Sequence, residues 1–187
     1  MTNPVLETIR ARRSIRAYEK KAVPQELIDT LIEAAQLAPT GMGKQPWHFT
    51  VVRDRAVLEE INEAQRRLMR ASGVAAEIKM ADDPGFDCFR GAPVVIFVSG
   101  DLACKFHTAD CANAVTIMTL AAESLGLGTC YLAGFLRALT GPDGPELVKK
   151  LGLPEGYGLE FALSLGYKGE DPAPRVPRKE NCVDYLG

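Results

Sequence analysis

Ala38-Pro-Thr-Gly-Met-Gly-Lys-Gln-Pro-Trp-His-Phe49 joins two kinds of pattern. Before it, Gln25 to Leu37 places Leu27, Ile28, Leu31, Ala34 and Ala35 at helical spacing, and Pro39, which has no N–H to donate, ends that helix. After it, His48 to Val52 reads as a strand. Between Pro39 and Pro46 stand Gly41 and Gly43, whose missing Cβ atoms let the backbone approach a flat ligand closely. Taken alone, the run is equally a plain helix-to-strand loop.

Outward from this junction, Pro4 to Arg12 predicts a short helix, and Asp54 starts an amphipathic one carrying Leu58, Ile61, Ala64 and Leu68. Gly73 to Cys88, weakly periodic and broken by Pro84-Gly85, predicts a mobile excursion or a short helix plus loop. Pro93-Val-Val-Ile-Phe-Val-Ser99 is a strand buried on both faces. Ala109 to Leu125 is the longest apolar helix and is apolar around too much of its circumference for a surface position. It should cross the core or a subunit boundary. Thr129 to Leu132, Glu146 to Leu151 and Leu159 to Tyr167 read as strand, helix and strand. After Gly169, Pro172, Pro174, Pro177, Arg175, Arg178 and Lys179 cannot form a compact element, so residues 169–187 should be an extended tail held by something else.

Alternating strands and helices usually signal a parallel sheet. Two helices before the first strand and a Pro-rich end fit that pattern poorly, and an α+β sheet covered by helices is equally allowed. No linker or repeat divides the 187 residues, which read as one domain.

A formal net charge of −2 gives no reason to expect nucleic acid or an anionic membrane as a main partner. Met1 to Arg12 is polar rather than signal-like, and Ala92 to Ser99 is too short to span a bilayer, so a cytoplasmic protein is expected. Cys88, Cys104, Cys111, Cys130 and Cys182 are odd in number and contain no CxxC pair, which argues for reduced, mostly packed thiols. His48 and His107 are too few and too separated to nominate a metal site, and His48 reads as a hydrogen-bonded structural histidine.

Three further segments can carry chemistry. Arg10-Ala-Arg-Arg-Ser-Ile-Arg16 presents guanidinium forks and a hydroxyl suited to phosphate; its bland reading is a solvated helix end. Gly126-Leu-Gly-Thr-Cys-Tyr-Leu-Ala-Gly-Phe135 by itself is a glycine-terminated helix feeding a strand, and the basic tail around Arg175 and Arg178 a solvated end. Neither GxGxxG nor a P-loop is present.

In combination and in this order, the segments resemble the nitroreductase family. Its R-R-S-x-R start matches Arg12 to Arg16, and its A-P-S-x-x-N-x-Q-P-W run matches Ala38 to Trp47. Its G-A-P strand matches Gly91 to Ile96, its G-L-G-T/S-C-W/Y-x-x-G run matches Gly126 to Gly134, and its closing G-Y…P-x-P-R matches Gly166-Tyr167 through Pro174-Arg175. Gly43 stands where the family usually has Asn, and Thr40 where it has Ser.

The resemblance implies an α+β fold with a central mixed sheet flanked by helices, in an intertwined homodimer whose C-terminal tails are exchanged. It implies FMN between the subunits, with Arg12, Arg13, Ser14 and Arg16 as the phosphate and ribityl clamp, joined by Arg175 or Arg178, and with Arg16 near the pyrimidine. Thr40, Gly41, Met42, Gly43 and Gln45 would border the ring from the other subunit. Leu132, Ala133 and Gly134 would pass beside it near N5, leaving no dedicated catalytic side chain. The mechanism implied is ping-pong, with NADH or NADPH as reductant and a small electron-poor acceptor such as a nitroaromatic or quinone. Rival readings are a flavin storage or regulatory protein, and a dehalogenating or flavin-fragmenting relative on the same fold.

Overall fold

The first helix is set by its cap: the Asn3 side chain accepts the Leu6 N–H at 3.0 Å, and Pro4 sits where a missing N–H costs nothing. In the computed structural model, which describes residues 2–172 and 174–187, this helix is α1, Pro4–Ala11. It is followed by α2 (Gln25–Gln36), a 3-10 turn at Gly41–Gly43, and β1 (Trp47–Val52). Asp54 caps α3 (Arg55–Arg70) by accepting the Ala56 N–H at 2.9 Å. Then come α4 (Ala75–Ala81), β2 (Val94–Asp101), α5 (His107–Ser124) and β3 (Leu127–Leu132). The chain continues through α6 (Leu136–Thr140) and α7 (Gly144–Leu151) to β4 (Tyr157–Tyr167).

The strands lie in the order β1-β2-β4-β3, and every neighbouring pair is antiparallel, so the expected mixed sheet is corrected. The connections give the reason. The paired helices α3–α4 and α6–α7 run out and back, returning the chain to the end of the sheet it left. Only α5, a single helix, crosses over, so β2 and β3 run the same way, but β4 inserts between them. Among the described residues the parallel component is one isolated bridge, Ser14 to Thr129, on the outer edge of β3.

β2 is buried on both faces, as its unbroken apolar run predicts. Val94, Ile96 and Val98 face the layer of α2 and α5, where Ile28, Leu31, Val115 and Met118 pack. Val95 and Phe97 face α3, α6 and α7, with Phe89 and Phe135 completing an aromatic cluster at centroid separations of 5.3–5.8 Å. α5 buries Cys111, Ala114, Val115 and Met118 along the core, as its composition requires.

The segment from Gly73 to Cys88 is the short helix plus loop of the two alternatives, and it is tied down. Buried Arg66 donates to the carbonyls of Ala81, Asp83 and Phe86 at 2.6, 2.8 and 2.5 Å, and Asn62 Oδ1 accepts the Cys88 N–H at 3.1 Å. His48 differs from expectation: its ring meets Tyr157 edge-on at 6.2 Å and forms no hydrogen bond among the described residues. No described helix is long and apolar enough to cross a membrane.

Candidate functional site

The arginine segment is positioned by the one buried residue within it. Ile15 is fully buried, and its N–H donates to the Thr129 carbonyl at 2.8 Å, pinning the segment along β3. Gly128 makes room for it, since a Cβ there would stand 2.9 Å from Ile15 Cβ and Cγ1. The early arginine motif and the Gly126–Gly134 motif are therefore halves of one contact. Gly166 does the same for another pair, because a Cβ there would meet Pro93 Cδ and Tyr18 Cδ1 at 2.8 Å. Tyr18 locks the turn from behind, its hydroxyl donating to the Ile15 carbonyl at 2.7 Å. Burial raises that phenol well above its ordinary range.

With Ile15 turned inward, its neighbours face out. Arg12, Arg13 and Ser14 are half-buried and Arg16 is exposed, its Nη1 resting 3.5 Å from the Ser14 carbonyl. The tail returns to this spot: Glu170 Oε1 accepts the Arg16 backbone N–H at 2.5 Å, and Arg175 Nη2 donates to the carbonyls of Arg10 and Arg12 at 2.8 and 2.9 Å. Partial desolvation and then Arg13, Arg178 and Arg12 hold the Arg175 pKa below the usual guanidinium value. Arg13, Arg178 and Arg12 thus lie close enough to act on Arg175 as like charges. Among the described residues, Arg12, Arg16, Arg175 and Arg178 have no ion-pair partner. An anion beside Arg175 would offset the like charges that act on it.

Two cavities run on from the cluster. One of about 470 Å³ is lined by Arg16, Asn62, Arg66, Phe86 and Arg90. The next, about 280 Å³, shares Phe86 and Arg90 and reaches Gln65, Leu132 and Gly134. Ala133 is exposed beside it. From Thr129, where the arginine segment attaches, to Gly134 is five residues, roughly 16 Å of extended chain. Cys130 lies beneath, its thiol raised by burial, with Arg16 and then Arg90 acting in the opposite direction. Arg90, Asn62 and Gln65 were not legible as site residues. Arg90 has one sequence mark, its place directly before Gly91-Ala-Pro93, and its left-handed φ of 63° has none.

Thr40 to Gln45 lies elsewhere. Asp110, at the start of α5 and buried, accepts the Gly41 N–H with both carboxylate oxygens at 3.0 Å. Thr40 Oγ1 accepts the Gln45 N–H at 3.3 Å. Met42, Gly43 and Gln45 take positive φ values of 53°, 65° and 51°, and the Met42 side chain stands 81% exposed. This turn precedes β1, on the opposite edge of the sheet from the arginines. Three strand spacings, roughly 14 Å, separate the edges. The structure therefore brings Arg12, Arg13, Arg16, Arg175 and Arg178 together, sets Leu132 and Gly134 along the same edge, and keeps Thr40, Gly41, Met42, Gly43 and Gln45 apart from both. No group of three or more His, Cys, Asp or Glu side chains among the described residues is arranged to hold a metal.

Comparisons with known proteins establish the family. The model of the Nitroreductase family matches residues 9–167, and the chain belongs to that family. A Methanothermobacter thermautotrophicus protein provisionally named NADH dehydrogenase/NAD(P)H nitroreductase is 35% identical over 176 residues, 91% of this chain and 81% of its own. A Bacteroides fragilis nitroreductase crystallised with bound FMN superposes with a TM-score of 0.90 at 32% identity, over 100% of both chains. An iodotyrosine deiodinase from Thermotoga neapolitana is 29% identical and matches over 93% of both chains.

Proposed function

We propose that this chain is an FMN-dependent oxidoreductase that passes electrons from NADH or NADPH to a small electron-poor acceptor, in ping-pong fashion and as a homodimer. The cluster of Arg12, Arg13, Arg175 and Arg178 carries the reading. Arg12, Arg13 and Arg178 lie near enough to Arg175 to act on it as like charges, and a phosphate dianion is a charge that fits such a basic patch. Ser14 adds a hydroxyl, and Arg16 sets a positive field on the cavity beyond, where the ring system would lie. Leu132 and Gly134 line the adjoining cavity at the end of β3, with Ala133 exposed between them in the chain. When bound, FMN would supply hydride acceptance and release at N5, so the chain's own task is to hold, orient and polarise.

The second subunit enters because the Thr40–Gln45 turn lies across the sheet from the arginines. Exposed Val5 and Ile9 on α1, and Val176, Val183, Tyr185 and Leu186 in the tail, form apolar surface that a partner would cover. Extraction and chromatography of the bound flavin should find FMN near one per subunit, and FAD or no flavin would sink the reading. Stopped-flow reduction by NADH and by NADPH then assigns the reductant. If neither pyridine nucleotide is oxidised in steady state, the protein stores or senses flavin instead.

The likeness to the Thermotoga deiodinase favours reductive dehalogenation as a second reading. The α4 region is where a substrate-gripping lid would sit, but Glu77 there is committed to Arg137 at 2.9 and 3.0 Å. Iodide release from iodotyrosine separates the two.

A further inference from the structure

The start of the tail is fastened to the arginine segment. The Gly169 N–H donates to the Ala17 carbonyl at 3.0 Å and the Glu19 N–H to the Tyr167 carbonyl at 3.1 Å, on either side of an antiparallel bridge between Tyr18 and Lys168. Only glycine fits at 169, since a Cβ there would stand 2.8–3.0 Å from the backbone of Tyr18. This close approach delivers the next residue to a fixed place, where Glu170 Oε1 accepts the Arg16 N–H at 2.5 Å. On the other side, the Ile15 N–H is held by the Thr129 carbonyl. The backbone at Arg16 is thus gripped from the tail and from β3. Its guanidinium lines the cavity of about 470 Å³ and has no ion-pair partner among the described residues.

We propose, on the FMN reading above, that Glu170 is a positioning residue: it fixes the Arg16 backbone and so the direction in which that guanidinium faces the flavin ring. A long side chain amplifies a small backbone rotation at its tip, and the field of the cation on the ring falls with distance. A carboxylate is a strong acceptor for an N–H, which makes the grip firm. As a bare charge, however, Glu170 opposes the negative charge that a reduced flavin gathers. Its two effects on the flavin therefore have opposite signs, and that separates them experimentally.

The test compares Glu170→Gln, which removes the charge and keeps an oxygen acceptor, with Glu170→Ala, which removes both. Glu170 is exposed, so neither substitution empties the core. The midpoint potential of the bound flavin and the affinity of the apoprotein for oxidised FMN are read, with no turnover required. Glu170→Gln should hold its flavin at a potential no lower than the unaltered protein does. Glu170→Ala should fall below Glu170→Gln in potential and bind FMN roughly threefold to tenfold more weakly than it, the scale of one hydrogen bond. In an Arg16→Ala background the two substitutions should give the same potential and the same affinity, because nothing is left to position. Equal behaviour of Glu170→Gln and Glu170→Ala with Arg16 present overturns the proposal and leaves the FMN reading standing; flavin lost alike from both counts as equal behaviour. A difference that persists without Arg16 also overturns it, since Glu170 would then act through the tail alone. Failure of the unaltered protein to bind FMN overturns both.

Discussion

Asp110 and Gly41, distant in sequence, are joined by a carboxylate that takes one backbone N–H with both of its oxygens at 3.0 Å. This contact fastens the exposed turn to the N-terminal end of α5 and holds Met42 outward in its left-handed conformation. Asp110→Ala should destabilise the protein by about 1.5–3 kcal/mol, the range for a hydrogen bond to a charged group. Urea unfolding measures it, and Asp110→Asn, which keeps an acceptor, should lose less.

Gly128 admits Ile15, and Ile15 aims the arginines. Gly128→Ala forces the added methyl group against Ile15 and should cost about 1–3 kcal/mol, as overpacking of a filled site does. The more specific sign is in binding: FMN affinity should fall although no cation has been removed. A variant that unfolds more easily but binds FMN as before would show that Ile15 does not set the arginine positions.

Arg12→Ala removes one charged contact to the proposed phosphate and should weaken FMN binding by about tenfold to a hundredfold, from ~1.5–3 kcal/mol at ~1.4 kcal/mol per decade. Arg175→Ala should weaken it too and also loosen the tail, because its guanidinium donates to the carbonyls of Arg10 and Arg12. Titration of the two apoproteins checks both. Unchanged affinity in Arg12→Ala would leave that residue a solvated helix end.

Truncation after Gly169 deletes Glu170, Arg175, Arg178 and the apolar set Val183, Tyr185 and Leu186, which stand 62%, 93% and 97% exposed. The shortened protein should sediment with a weaker dimer and lose flavin absorbance in the same run. One that stays dimeric and yellow would show that the tail is dispensable.

Burial pushes the Cys88 and Cys111 thiols up to about 12, with Asp87 and Glu160 respectively adding to the effect. The thiolate is the nucleophile, so neither should react with iodoacetamide in the folded protein at about pH 8, and both should react in urea. The sign for stability follows from the same shift. The folded state keeps these protons more tightly than the unfolded one, so their contribution is whole below about pH 8.5 and is lost as pH climbs toward the folded value. Peptide mass mapping and urea midpoints across that range check the two statements.

Element types were largely legible because they rest on periodicity. Leu27, Ile28 and Leu31 announce α2, and the unbroken run around Ile96 announces a strand covered on both sides. Strand direction was not legible, since it depends on whether one helix or two fills each connection, and α6 is only five residues long. The arginines and glycines of the candidate site are readable by residue type. Gln65 and Arg90 are not: a polar residue on an amphipathic helix looks like solvent face until its surroundings are known, and the left-handed φ of Arg90 is unmarked even though the residue directly precedes Gly91-Ala-Pro93.

The separation of the Thr40–Gln45 turn from the arginine cluster also has a genetic meaning. In a homodimer whose sites each draw one edge from either copy, a defect at the turn and a defect among the arginines damage different halves. Two inactive alleles, one of each kind, would complement: their mixed dimer holds one site with both faults and one with neither. Two alleles damaged on the same edge would not.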